Sequence, residues 1–349
     1  MFFSKFYLFA LLGGVFLLSG CASTEPVRLP RPDKKEQLRQ EQKAAALAEK
    51  ITAFAIRGTV LDRNTLLLRE PELLVERLKH LGFNRVFFHL SPEEEIDENI
   101  ADFNALCRRA GVDVYACFRQ SDAVYKPAAG AFWRKCTAKE VTLAAVAAEF
   151  AEKNRDLPEE QQFKGVVLVM TPHLFTPSVP FRPADCPYAW DSKRFGAGLD
   201  NEALMNYSIR EVENAAAAVA PLPVMVQIPD FYYNWVKSGK LPAGTLMKFS
   251  TSGSGKAREL VLLNSGNKPS ELFSKVEAGL KSTPAAVPVL VAVNLAPHTA
   301  VTKGELRRRN WGDLVRSIRY AAGRYRGSRD ISGVILGPYS RLEILLEEK

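Results

Sequence analysis

The 349 residues are 47 % apolar and 25 % charged, with a formal charge of +8. About 300 of them, beyond a leader, suit one domain with a large core. The excess charge is modest and scattered and no nucleic-acid motif occurs, so nucleic acid is not an expected partner.

The first 21 residues read as a leader that is no part of the fold. Lys5 is their only charge, an apolar run follows from Phe6 to Leu18, and the segment closes on Leu18, Ser19, Gly20 and Cys21. A basic start, an apolar core and small residues before a cysteine form the pattern of a lipoprotein signal peptide. Small side chains admit the backbone to the peptidase, and the Cys21 sulfur takes the lipid, with palmitate among its acyl chains. Alanine at 22, in place of aspartate, fits sorting to an outer membrane, facing the periplasm or the surface. No other run approaches 18 apolar residues, so the remainder reads as a soluble body tethered to the cell envelope.

Residues 22–50 follow as a proline-punctuated linker and a charged helix, Asp33 to Lys50, built of strong helix formers. Residues 51–349 carry eight short apolar runs: Phe54–Ile56, Val86–Phe88, Val112–Phe118, Val166–Met170, Val224–Ile228, Leu260–Leu263, Val289–Val293 and Val334–Leu336. Each is too short for a helix and apolar on both faces, as a strand of a covered parallel sheet must be. Seven gaps of helix length separate them, which predicts a (β/α)8 TIM-type barrel. Gly82 and Gly111 mark the ends of the helices before strands two and three. Long loops leave strands three and four, Arg119–Cys136 and Thr171–Asp200, both rich in aromatics and proline. Cys107 and Cys117 read as buried apolar residues; Cys136 and Cys186, on those two loops, are spaced to allow a disulfide in an oxidising compartment.

A barrel builds its site at the carboxyl ends of its strands. The residues expected there are Arg57, His89, Arg119, His173, Gln227, Asp230, Asn264, Asn294 and Tyr339, with Tyr233 and Trp235 beside Asp230. Asp230 is the best candidate acid or base, with a helix N-cap as its plain structural alternative. His89 and His173 would assist it, while the remaining polar residues orient hydroxyls and the two aromatics stack on sugar rings. Three of the four histidines fall at strand ends, but no short ligand spacing supports a metal, and neither metal nor cofactor is expected. Ser252–Lys256 looks like a phosphate loop, yet Ser250 and Ala257 occupy positions that such a loop needs for glycine and Ser/Thr. No Gly-x-Ser-x-Gly elbow is present. The arginines from Arg307 to Arg329 read as a solvated helix face more readily than as an anion-binding surface.

The stretch Leu78–His89 resembles the first βα crossover of glycoside-hydrolase-like barrels, and Arg109–Ala116 resembles the unit that follows it. Ile331–Tyr339 is similar to the last strand of such proteins. Together they cover under a fifth of the chain. The resemblance implies a barrel that binds or hydrolyses a glycan. The family places acids at the end of strand four and of a later strand, where this chain has Met170–His173, Asn264 and Asn294. Two alternatives follow: a catalytically degenerate, saccharide-binding barrel, or a structural envelope lipoprotein that docks proteins on its rim.

Overall fold

The computed structural model describes residues 34–127, 134–136, 142–172, 199–242, 244–250, 259–264, 287–295, 311–325 and 331–347. Eight parallel strands close into a ring: β1 (Ile56–Asp62), β2 (Arg85–His89), β3 (Asp113–Arg119), β4 (Gly165–Val169), β5 (Val224–Pro229), β6 (Glu259–Asn264), β7 (Val289–Asn294) and β8 (Gly333–Gly337). Each pairs with its neighbours in sequence, and β8 closes on β1. Followed once around from Val60, the register returns to β1 eight residues from its start, the stagger of a TIM-type barrel.

The described helices are α1 (Lys34–Ile51), α2 (Arg63–Leu67), α3 (Pro71–His80), α4 (Glu98–Arg109), α5 (Gln120–Val124), α6 (Leu143–Asp156), α7 (Leu199–Ala218), α8 (Phe231–Lys237), α9 (Met247–Ser250), α10 (Trp311–Tyr325) and α11 (Tyr339–Glu347). Side chains start several of them: Asp62 accepts from Thr65 N–H, Asp97 from Ile100 N–H and Thr142 from Ala145 N–H. Gly82 and Gly111 follow α3 and α4 with φ of 79° and 73°, a left-handed turn that costs glycine nothing.

Strand alternation sorts the apolar residues into two layers. Phe87, Tyr115, Val167, Met225, Val261 and Leu290 fill the barrel interior. Val86, Val114, Val166 and Leu168 face outward and join the helices. Each such burial contributes roughly 1.5–3 kcal/mol. Two interior positions make room for large rings: a Cβ on Gly58 would run into Phe87, and one on Gly165 would meet Tyr115 and stand 2.7 Å from Pro223 O.

Two expectations change here. The first strand runs from Ile56 to Asp62, where Phe54–Ile56 was expected, because Gly58 and Thr59 interrupt the apolar run that the sequence displays. The connection after β3 is structured: α5 is followed by a two-stranded antiparallel ladder, Tyr125–Pro127 against Arg134–Cys136. The charged helix, α1, packs on α3, α10 and α11. Its Lys43 ammonium donates to the carbonyls of Leu345 and Leu346 at 3.2 and 3.1 Å, satisfying the end of α11.

Candidate functional site

His89 ends β2 on the inward side of the ring, and its Nε2 lies 3.1 Å from Asp122 Oδ2 on α5. An ionised carboxylate can only accept, so in the neutral ring the pairing places the imidazole proton on Nε2 and leaves Nδ1 with the lone pair. Asp62 is the register partner of His89 on β1. Its Oδ1 takes two bonds, from Thr65 N–H at 2.8 Å and Thr65 Oγ1 at 2.6 Å, so it is committed to starting α2.

Arg119 ends β3 and is exposed; Gln227 and Asn294 are half-buried on β5 and β7. The register aligns Arg119 with Val169, Val169 with Gln227, and Asn294 with Gly337, all positions of the inward-facing set. Thr171, just past β4, has a buried hydroxyl with no hydrogen-bond partner among the described residues. The carboxyl end of the barrel therefore carries His89, Asp122, Arg119, Thr171, Gln227 and Asn294 above an apolar interior.

Below them sits Cys117, the register partner of His89. Burial pushes its thiol up to about 12, with Arg119 drawing it down and Asp122 adding to the rise. It is a thiol, not a thiolate, at neutral pH. Among the described residues no group of three His, Cys, Asp or Glu side chains could hold a metal ion.

Five expected site residues stand elsewhere. Arg57 is at the amino end of β1; its Nε donates to Gly82 O at 2.7 Å and its Nη1 to Phe54 O at 2.9 Å, which makes it a fastening at the barrel floor. Asp230 is fully buried. Its backbone is already helical, with φ −64° and ψ −25°, and its side chain makes no capping bond, so it does not cap α8. Tyr233 and Tyr339 are buried in the outer layer, where burial also pushes the Tyr339 phenol up. Trp235 is half-buried and packs with Phe231 and Tyr232, at centroid distances of 4.8 and 5.1 Å. Asn264 ends β6, paired in register with Val293 of β7. His173, Cys186 and Cys21 lie outside the described residues.

The sequence reading missed Asp122. Its signal was its distance from the end of β3: Arg119-Gln120-Ser121-Asp122 is one helical turn, and a turn of helix at a strand's carboxyl end returns its third residue to the mouth.

No family model and no curated protein matches the chain. Among solved structures it is similar to the GH53 catalytic domain of Ignisphaera aggregans, at 15 % identity and a TM-score of 0.42, over 81 % of this chain and 84 % of that one. It is similar to phosphonopyruvate hydrolase at 8 % identity and a TM-score of 0.42, over 86 % and 82 %. A family 1 β-glucosidase from Thermotoga maritima stands at 12 % and 0.40, over 76 % and 75 %. Glycoside hydrolases and other barrel enzymes are thus equally near, and likeness of this degree carries no argument about chemistry.

Proposed function

We propose that the protein is a lipid-anchored envelope protein whose barrel mouth binds a glycan. The observation that supports it is the mixed polar mouth over an apolar interior. Arg119 donates, Gln227 and Asn294 each donate and accept, the His89–Asp122 pair offers Nδ1, and Thr171 has a hydroxyl to spare. A sugar hydroxyl needs a donor and an acceptor together, and amide side chains supply both. Among the described residues binding is favoured over two-carboxylate hydrolysis, because Asp62 is engaged by Thr65, Asp122 by His89, and Asp230 is buried. The test is a saccharide panel against the full chain in detergent, read by thermal shift and calorimetry. A raised melting temperature with one class of sugar, lost in Asn294→Ala and His89→Ala, is the expected result. No shift with any sugar sinks the reading and favours a protein-docking rim.

A second reading has its own observation. A carboxylate on Nε2 fixes the orientation of an imidazole, the arrangement of a general base. If the mouth turns over its ligand, Asp122→Asn leaves binding within severalfold and lowers kcat by 10²-fold or more. Equal kcat in the two proteins removes the pair from any chemistry.

The anchor rests on the order Phe6–Leu18, Ser19, Gly20, Cys21, and outer-membrane sorting on Ala22. Metabolic labelling with palmitate is expected to mark the native chain and not Cys21→Ala; equal labelling rules the anchor out.

A further inference from the structure

The rim beside β1 carries an apolar surface that a glycan site does not use. Four of the seven exposed large apolar side chains among the described residues are Leu38, Leu67, Leu68 and Leu73, between 56 and 73 % exposed. Leu67 and Leu68 close the short helix that follows the carboxyl end of β1. Leu73 is in the first turn of α3, which runs from the mouth to the floor, where Gly82 turns the chain toward β2. Arg69, between them, donates to Glu343 of α11 at 2.9 Å, and α11 packs on α1.

The direction of α1 puts Leu38 on the same side. Its last residue, Ile51, lies by Gly82 at the floor. Lys43 stands over the ring of Trp311, the first residue of α10, at 5.5 Å, and from there α1 descends to the floor, as α10 does. The two helices therefore run parallel, and α10, leaving β7 and leading to β8, runs from mouth to floor. A helix of this length spans ~27 Å and a strand like β1 ~23 Å. Lys34 thus lies level with the carboxyl ends of the strands. The chain arrives at the mouth side, where Lys34 and Lys35 are exposed. Residues 22–33 separate this point from Cys21, a reach of ~40 Å at full extension and roughly 20 Å as a coil.

We propose that the leucine-bearing rim of Leu38, Leu67, Leu68 and Leu73 is a membrane-contact surface, seating the barrel mouth against the bilayer that holds Cys21. The inference rests on the lipid-anchor reading above and deepens the glycan reading: the mouth faces saccharides borne at that membrane. Exposed leucines enter the headgroup boundary, and Lys34 and Lys35 meet anionic lipid there. A bilayer is favoured over a second copy of the chain because the tether reaches the same side as the leucines.

The experiment reconstitutes the lipidated full chain into vesicles of phosphatidylethanolamine and phosphatidylglycerol that carry a headgroup-linked acceptor dye. A donor dye is placed at Ser91, exposed beyond the carboxyl end of β2, or at Asp113, exposed at the amino end of β3. Energy transfer from position 91 is expected to exceed that from position 113 at least twofold. The triple variant Leu67→Ser, Leu68→Ser, Leu73→Ser is expected to shrink that difference. Equal transfer from the two positions, or a difference that the triple variant leaves intact, overturns the membrane contact while leaving anchor and glycan readings standing. A chain that does not float with the vesicles overturns the anchor and the contact together. The glycan reading is tested separately, since transfer needs no sugar.

Discussion

Arg85 and Glu259 begin strands that stand opposite each other in the ring, and their side chains meet at 3.3 Å across the barrel floor. The Arg85 guanidinium also lies over Tyr115, 4.4 Å from the ring centroid, and reaches Met225 Sδ at 3.9 Å. Charge and an aromatic ring together close the interior from below. Glu259→Gln removes the counter-charge of a partly buried cation and is expected to cost about 1–2 kcal/mol. Arg85→Ala loses the stacking as well and is expected to cost more. Urea unfolding of the two variants checks the order; a larger loss in Glu259→Gln contradicts it.

Gly165→Ala and Gly323→Ala are expected to move stability in opposite directions. At 165 the new methyl would meet the Tyr115 ring and the backbone oxygen of Pro223, and backbone cannot step aside. The cost is about 3 kcal/mol. At 323, inside α10, nothing lies within 4 Å of the position, and alanine is the better helix former by about 0.5–1 kcal/mol. Thermal midpoints report both signs.

Glu211 on α7 accepts from Leu143 N–H at 2.7 Å, at the start of α6. Burial holds its carboxyl above the usual range, with the Leu143 and Ala144 amides pulling the other way. The folded chain thus binds this proton more tightly than the unfolded one. Its stabilisation is complete below the unfolded value near 4.5 and is lost as pH rises through the folded value. Glu211→Gln keeps an oxygen for Leu143 and removes the titration. The stability difference between native chain and variant is expected to shift in the variant's favour across that window. A difference that stays constant from pH 4 to pH 8 contradicts it.

Cys107 and Cys117 are expected to resist iodoacetamide at pH 8 in the folded chain and to react once it is unfolded. Burial pushes both thiols up, Cys117 to about 12, and the thiolate is the nucleophile. Mass spectrometry after a timed pulse reads the two sites separately. Rapid native labelling of Cys117 would place it in contact with solvent.

The ring of strands was legible because each buried strand must be apolar on both faces, and seven of the eight runs lie within two residues of the observed strands. β1 was the exception. Gly58 is there to admit Phe87, so a packing requirement between strands erased the local apolar signal and made Arg57 look like an ending. The mouth was legible where the strand itself supplies the residue, as for His89, Arg119 and Asn294. It was not where the chain has already turned into a helix. Past a strand end the period of two gives way to 3.6, and Tyr233 and Tyr339 rotate into the outer layer while Asp122 swings to the mouth. The position of that switch depends on which register the neighbouring strand adopts.

The bond from Lys43 to the last turn of α11 joins the first described helix to the final one. Such a contact joins residues 303 apart in sequence, so the last turn of α11 must have left the ribosome before α1 can find its seat. Until then the nascent protein has an unfinished wall, with Leu47 and Ile51 bared to any chaperone that binds greasy segments.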